Sequence, residues 1–416
     1  MKILMTGDLH MGRGSSKFRE LEPQTSIDCW DAIVKEAVER SVDLVLLSGD
    51  IVDRRNCYFE SYMPLQTGID RLAKNSITTI AVAGNHDFNV LPKLTKKIDG
   101  EYFRLLGIGG VWEEFEFRCG SETLGLTGWS FPQSHVEISP LDSFPDTSSS
   151  CDYHIAMVHG DLNVTGSKYA PLSLRKMEEL ERHNWLLGHV HKPELKSIKH
   201  DRWVLYPGSP QALDPGEPLH HGVWVWDTEI QDKPMQVHMS SVCYQPLRID
   251  VSACEDAEEI LDYVMSQIKT DTELLKSEAH QRLRAVNYRI EICGECNDPV
   301  EVEALENQTI DGSIFNGVHA YIEHLRINVL PRLDKAKLRT QKTVLARAFN
   351  LLERLKSGNC DPEIEELLGV IQQRCAQHGD RYHSIDDAHE LLPLEVVNIA
   401  KTQLAQIVSD LRAQAK

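Results

Sequence analysis

Along the first 240 residues, short apolar runs alternate with amphipathic stretches, and each apolar run breaks off into a polar motif. Lys2-Ile-Leu-Met-Thr6 reads as a strand that ends at Gly7-Asp8-Leu9-His10. Residues 26–40 place Ile27, Trp30, Ile33, Val34, Ala37 and Val38 on one helical face. Leu44–Leu47 is a second buried strand, ending at Ser48-Gly49-Asp50-Ile51-Val52-Asp53, and another helix is expected over about 59–74. Ile77–Val82 is a third strand, closed by Gly84-Asn85-His86-Asp87. Strand, polar loop, helix, strand is the α/β pattern, in which reactive groups collect at the carboxyl ends of strands.

From 103 to 131 the pattern changes to short strands with Gly and aromatic residues, such as Phe115-Glu-Phe117 and Thr123–Trp129, and 139–151 reads as a loop. His154–Val158 is a buried strand that ends at His159-Gly160-Asp161. A helix over about 172–182 leads to Trp185–Leu187, which ends at Gly188-His189-Val190-His191. Arg202–Tyr206 and Gly222–Trp226 are further strands, with Pro207-Gly208-Ser209-Pro210 between them. After 243 a strand (Gln245–Val251), a helix (Ala257–Ile268), an alternating strand (Val286–Ile292) and a helix (Pro299–Leu305) suggest a small α/β domain over 243–330.

The region 331–416 reads as helical, with segments over 332–356, 362–376 and 394–414. The first holds eight basic residues (Arg332, Lys335, Lys337, Arg339, Lys342, Arg347, Arg354, Lys356) against Asp334 and Glu353. Its apolar stripe is Val344, Leu345, Phe349, Leu352 and Leu355; the last segment repeats Leu394, Val397, Leu404, Ile407, Val408 and Leu411. These helices are expected to cap the body, to dock a partner, or to lie on nucleic acid.

A length of 416 residues exceeds one ordinary core, so two or three domains are expected: 1–240, 243–330 and 331–416. Hydrophobic content of 41% and charged content of 26% are those of a globular protein, and no run is long enough to span a bilayer. The ten cysteines are scattered, only Cys293 and Cys296 having ligand spacing, which fits reduced thiols in a cytoplasmic protein. The net charge of −19 excludes a chain that coats nucleic acid by bulk charge, but not a local basic groove or a site whose field is reversed by cations.

Five strand ends carry the same kind of residue: Asp8 with His10, Asp50 with Asp53, Asn85 with His86, His159, and His189 with His191. One such residue is ordinary surface chemistry; five together call for a two-metal centre, which needs a bridging carboxylate and nitrogen and oxygen donors around each ion. Imidazoles and carboxylates without a thiolate suit manganese, iron or zinc. His86 is placed to give a proton to a leaving oxygen, and Asp87 to orient that histidine from behind. Asp53 is expected to orient a ligand or His86 rather than to bind metal. Arg13, Arg19, Arg54, Arg55, Lys93, Lys96, Lys97 and Lys192 lie near the motif loops and are candidates for holding phosphates.

The ordered series Asp-x-His, Gly-Asp-x-x-Asp, Gly-Asn-His-Asp, His and Gly-His-x-His resembles that of the calcineurin-like metallophosphoesterases. The fold this implies is an α/β one, a β-sandwich flanked by helices. The resemblance implies one ion held by Asp8, His10, Asp50 and His191, and another held by Asp50, Asn85, His159 and His189. Gly188-His-Val-His191 with Lys192-Pro193, Tyr206-Pro-Gly-Ser-Pro210 and the α/β unit after 243 further resemble the SbcD-type nuclease subunits of DNA-repair complexes, over roughly residues 1–330. That likeness implies two manganese ions, a DNA substrate, exonuclease activity with endonuclease activity on ends or hairpins, a homodimer, and an SMC-like coiled-coil ATPase docked through helices after the second domain.

Competing branches are weighed on the same residues. Gly7-Asp8-Leu9-His10 and Gly49-Asp-Ile-Val-Asp53-Arg54 resemble the protein Ser/Thr phosphatases. Those have Glu in place of Asp87 and Gly in place of Arg55, and lack the paired Gly-His-x-His. Small-molecule phosphodiesterases, such as those for cyclic nucleotides, share every ligand but do not need residues 243–416. The complete ligand set counts against a scaffold with a decayed site.

Overall fold

The computed structural model describes residues 1–16, 26–53, 61–96, 98, 100–146, 150–180, 182–279, 282–307, 313–332, 335–358, 361–378 and 393–413. They form two compact units: Met1–Pro246 with Lys269–Arg289 and Asp311–Glu323, and Leu247–Ile268 with Ile290–Ile310 and His324–Lys416.

The first unit begins with β1 (Lys2–Thr6), α1 (Ser26–Glu39), β2 (Leu44–Leu47), α2 (Tyr62–Lys74), β3 (Thr78–Ala81), α3 (Leu91–Thr95) and β4 (Phe103–Leu105). Then come β5 (Glu113–Cys119), β6 (Glu122–Trp129), β7 (Tyr153–His159), α4 (Leu174–Glu179), β8 (Asn184–Gly188), β9 (Glu194–Ser197), β10 (Trp203–Tyr206), β11 (Gly222–Asp227) and β12 (Met235–His238). They build two six-stranded sheets, ordered β12-β11-β1-β2-β3-β4 and β5-β6-β7-β8-β10-β9. Strands β1 to β4 pair in parallel, as do β6, β7, β8 and β10, while β5, β9, β11 and β12 pair antiparallel at the margins.

Alternation along β1 and β2 sorts the side chains into two layers, because successive residues of a strand face opposite ways. Leu4, Val45 and Leu47 join Trp30, Ile33, Val34, Leu65, Ile69 and Leu72 of α1 and α2 in one core. Ile3, Met5, Leu44 and Leu46 join Leu124, Leu126, Ile155, Met157, Leu186 and Trp203 in another, between the two sheets. A third cluster (Trp129, Ala156, Val158, Trp185 and Leu187 with Leu172 and Met177) covers the outer face of the second sheet. Covered on both faces, the parallel strands read as unbroken apolar runs. Ile3, Leu4 and Met5 are all fully buried, and burial of each such side chain is worth about 1.5–3 kcal/mol.

Further along come β13 (Val242–Asp250), α5 (Ala257–Glu278), β14 (Ala285–Cys296), α6 (Pro299–Ala304), β15 (Ser313–Phe315) and β16 (Val318–Pro331), whose strands form a sheet in the order β13-β14-β16-β15. Strands β9, β12, β15 and β16 are additional to those expected from the sequence. Residues 318–331 alternate too weakly to stand out, since His319, Glu323, His324 and Arg326 interrupt the apolar positions. Helix α5 runs to Glu278, ten residues past the expected Ile268, through a polar stretch; within it Thr272 is fully buried and hydrogen-bonded to the Tyr288 hydroxyl at 2.7 Å.

In the second unit, α7 (Lys335–Thr340), α8 (Val344–Lys356), α9 (Pro362–His378) and α10 (Pro393–Ala413) share a core of their own. Phe349, Leu352 and Leu355 of α8 pack with Ile364 and Ile371 of α9 and Val396, Ala400, Leu404 and Val408 of α10. The apolar stripes read from sequence therefore face one another, although Val344 and Ile407 are exposed. Arg347 and Arg354 of the basic helix are paired with Glu363, and Arg354 also with Asp361. Among the described residues, no helix is long and apolar enough to cross a membrane.

Candidate metal centre

The ends of β1, β2 and β3 from one sheet meet the ends of β7 and β8 from the other, and their polar motifs converge. His10 Nε2 lies 3.0 Å from His191 Nε2 and 3.9 Å from Asp50 Oδ2. The same Asp50 oxygen lies 3.3 Å from His159 Nε2. Asn85 Oδ1 is 3.0 Å from His159 Nε2 and 3.1 Å from His189 Nδ1. Donor atoms of Asp8, His10 and His191 fall within 4.8 Å of one another, as do those of Asp50, His159 and His189, and those of His10, Asp50 and His86. Asp50 thus stands between two groups of inward-facing donors. Nitrogen and oxygen atoms crowded at this spacing need a proton or a cation between them, and the donor set fits two divalent ions of the manganese, iron or zinc kind.

Backbone geometry brings the donors inward. Asp8 (φ 49°), His10 (φ 45°), Asp50 (φ 49°) and His189 (φ 98°) all adopt left-handed conformations, which cost a non-glycine residue about 1–3 kcal/mol each. Hydrogen bonds hold them there: Asp8 N to Gly49 O and His10 N to Asp50 O, both 2.9 Å, and His189 N to both Asp8 carboxylate oxygens at 3.1 Å. His86 N donates to Asp50 Oδ1 at 2.8 Å, so the bridging candidate is fixed from one side while Oδ2 faces the histidines. Two glycines allow the approach. A Cβ at Gly84 would sit 2.2 Å from Asp50 Oδ1, and one at Gly188 would sit 2.1 Å from Ser48 O and 2.5 Å from His159 Nδ1.

Charge and burial compete strongly here. Burial pushes the Asp50 carboxyl up, but His159, His10 and His86 outweigh it and hold it far below the usual carboxylate range. Burial lowers His159, and Asp50 more than reverses this, raising the imidazole to about 9. His189 is lowered to about 4 by burial and by the neighbouring His159. His86 is lowered, chiefly by burial, with Asp50 opposing.

Behind the donors, rear atoms of the rings meet acceptors. His159 Nδ1 faces Ser48 O at 3.1 Å, His10 Nδ1 faces Asp53 Oδ2 at 3.6 Å, and His189 Nε2 faces Asp161 Oδ1 at 3.5 Å. Asp53 therefore stands behind a candidate ligand. The expectation for Asp87 needs correction. Its carboxylate accepts from Gly84 N at 2.8 Å, Ile51 N at 2.7 Å and Val52 N at 3.3 Å, and so ties the third motif to the second instead of orienting the His86 imidazole. Full burial, together with the charge of Asp50, raises its carboxyl to about 7. His86 Nδ1 is buried and has no hydrogen-bond partner among the described residues, and its ring meets His10 edge-on at 4.9 Å.

Two acids at this centre were not singled out from sequence. Asp161 directly follows His159-Gly160, and Glu217 lies outside every motif, 26 residues beyond His191. Of the basic candidates, Arg13 Nε lies 3.9 Å from Asp53, Lys192 is exposed next to His191, and Lys93 and Lys96 are exposed on and just after α3. Arg19, Arg54, Arg55 and Lys97 lie outside the described residues.

Residues 1–193 match the profile of the calcineurin-like phosphoesterase family. The chain is similar to the metallophosphoesterase YhaO of Bacillus subtilis, 25% identical over 56% of this chain and 57% of YhaO. It is also similar to the DNA double-strand break repair protein Mre11 of Methanosarcina mazei, 30% identical over 52% of this chain and 34% of that protein. A solved dimetal phosphatase from Danio rerio aligns over 54% of this chain and 91% of its own, with 12% identity and a TM-score of 0.36. The chain thus spans little more than half of YhaO and about a third of that Mre11.

Proposed function

We propose that this chain is a manganese-dependent DNA nuclease, an exonuclease with endonuclease activity on ends or hairpins, acting in DNA-end processing. The observation that carries the reading is the position of Asp50, whose Oδ2 faces His10 on one side and His159 on the other. The repair role named for Mre11 supports the choice of DNA.

In this reading Asp8, His10, Asp50 and His191 hold one ion and Asp50, Asn85, His159 and His189 the other. When bound, such a pair supplies Lewis-acid activation of water and of a phosphate oxygen. The protein's own residues do the rest. The carboxylate of Asp50 is kept ionised by the surrounding imidazoles. Ser48 O and the rear carboxylates of Asp53 and Asp161 fix the aim of the histidines. His86, whose backbone is pinned to Asp50, donates a proton to the departing sugar oxygen. Arg13, Arg54, Arg55 and Lys192 hold flanking phosphates.

By the same reading residues 1–240 are the nuclease domain, 243–330 a capping domain, and 331–416 the helices that dock an SMC-like coiled-coil ATPase, in a homodimer. Digestion of linear duplex DNA, hairpin DNA, a cyclic dinucleotide and a phosphopeptide with Mn²⁺, using Asp50→Ala as control, tests the activity. Cleavage of the two DNA substrates by the wild-type chain alone is expected. Turnover of only the phosphopeptide or only the cyclic dinucleotide would place the chain in another branch of the family.

A further inference from the structure

We propose that Glu217 is a positioning residue of this centre, one that sets the tautomer and the aim of His191. The proposal rests on the metal-binding reading given above. Glu217 is 7% exposed and reaches back to the motif from a separate loop. Its Oε1 lies 2.6 Å from His191 Nδ1. Its Oε2 accepts from Ser209 Oγ and from Leu213 N, both at 2.8 Å.

An ionised carboxylate only accepts hydrogen bonds, so the proton of a neutral His191 must sit on Nδ1. The lone pair is then left on Nε2, the atom that faces His10 Nε2 at 3.0 Å within the Asp8–His10–His191 group. The other tautomer would turn a lone pair against the carboxylate and a proton toward the donors. Glu217 cannot easily swing away, because two donors hold its second oxygen. Ser209 is itself held: its N–H donates to the His191 carbonyl at 3.0 Å, and its carbonyl lies 2.7 Å from His221 Nδ1. Backbone, hydroxyl, carboxylate and imidazole thus close a ring through His191. A rear carboxylate also makes an imidazole a better donor.

Calorimetric titration of the full chain with Mn²⁺ alone, without DNA, tests this for the wild type, Glu217→Gln and Glu217→Ala. The wild type is expected to take up two ions. In Glu217→Ala one site should weaken by about 10–100-fold while the other stays within about twofold. Glu217→Gln, which keeps an acceptor oxygen but no charge, should fall in between at the same site, and it carries the test alone if the alanine variant does not fold. Unchanged affinity at both sites overturns the proposal, as does equal weakening of both. A wild-type chain that takes up no Mn²⁺ overturns it together with the metal reading. Selective loss of one site in a chain that leaves DNA intact upholds the role of Glu217 and refutes only the DNA substrate.

Discussion

His86 and His159 show how one geometry assigns different work to two imidazoles. His159 is fully buried and lies 3.3 Å from Asp50 Oδ2, where it is raised to about 9. In the metal-free protein this pair stabilises the fold fully below the unfolded imidazole value of about 6.5, and its contribution is lost as pH rises through about 9. A metal needs the neutral ring, so loading at pH 7.5 should expel about one proton, falling toward none above about pH 10. Mn²⁺ titrations in buffers of different ionisation heat measure that number; no proton release at pH 7.5 would contradict the pairing with Asp50. His86 is half-buried, with an Nδ1 that meets no partner among the described residues. The His86→Gln variant should bind two Mn²⁺ as the wild type does while kcat falls by about 10²–10⁴-fold. Loss of metal uptake in that variant would make His86 a ligand instead.

At the scale of elements, the parallel strands of the sandwich were legible because burial on both faces writes itself as continuous apolar sequence, whereas the half-exposed marginal strands β9 and β12 were not. So were the motifs, because each sits where such a run stops. Glu217 was not, since nothing local distinguishes an acid in Asp214-Pro-Gly-Glu217-Pro from a solvated turn; only the fold brings it to His191. Asp87 was legible as important but not in its task, since three backbone N–H groups from two motifs claim its carboxylate. Strand β16 was hidden by polar residues at both odd and even positions, which break the alternation. The helices after 331 were legible as amphipathic, but a stripe does not name what covers it, and α8, α9 and α10 cover one another. Phe349 at the centre of that packing is 5% exposed. Phe349→Ala should destabilise the helical unit by about 3–5 kcal/mol in urea unfolding, since it leaves a large void. A loss below 1 kcal/mol would mean the helices do not pack this way.

For the whole molecule, two sheets supply what neither could alone. The first brings Asp8, His10, Asp50, Asn85 and His86; the second brings His159, His189 and His191. Strained backbone at four of these residues is a cost the hydrogen bonds between motif loops offset, as expected where a site and not a core dictates the chain path. The net charge of −19 is compatible with the proposed substrate, because cations held at the centre would reverse the local field there. The most direct measurement is anomalous diffraction at the manganese edge from crystals soaked in Mn²⁺. Two peaks about 3.5–4 Å apart are expected, with Asp50 between them, one beside His10 and His191 and the other beside Asn85, His159 and His189. A single peak, or none in contact with Asp50, would contradict the two-metal reading.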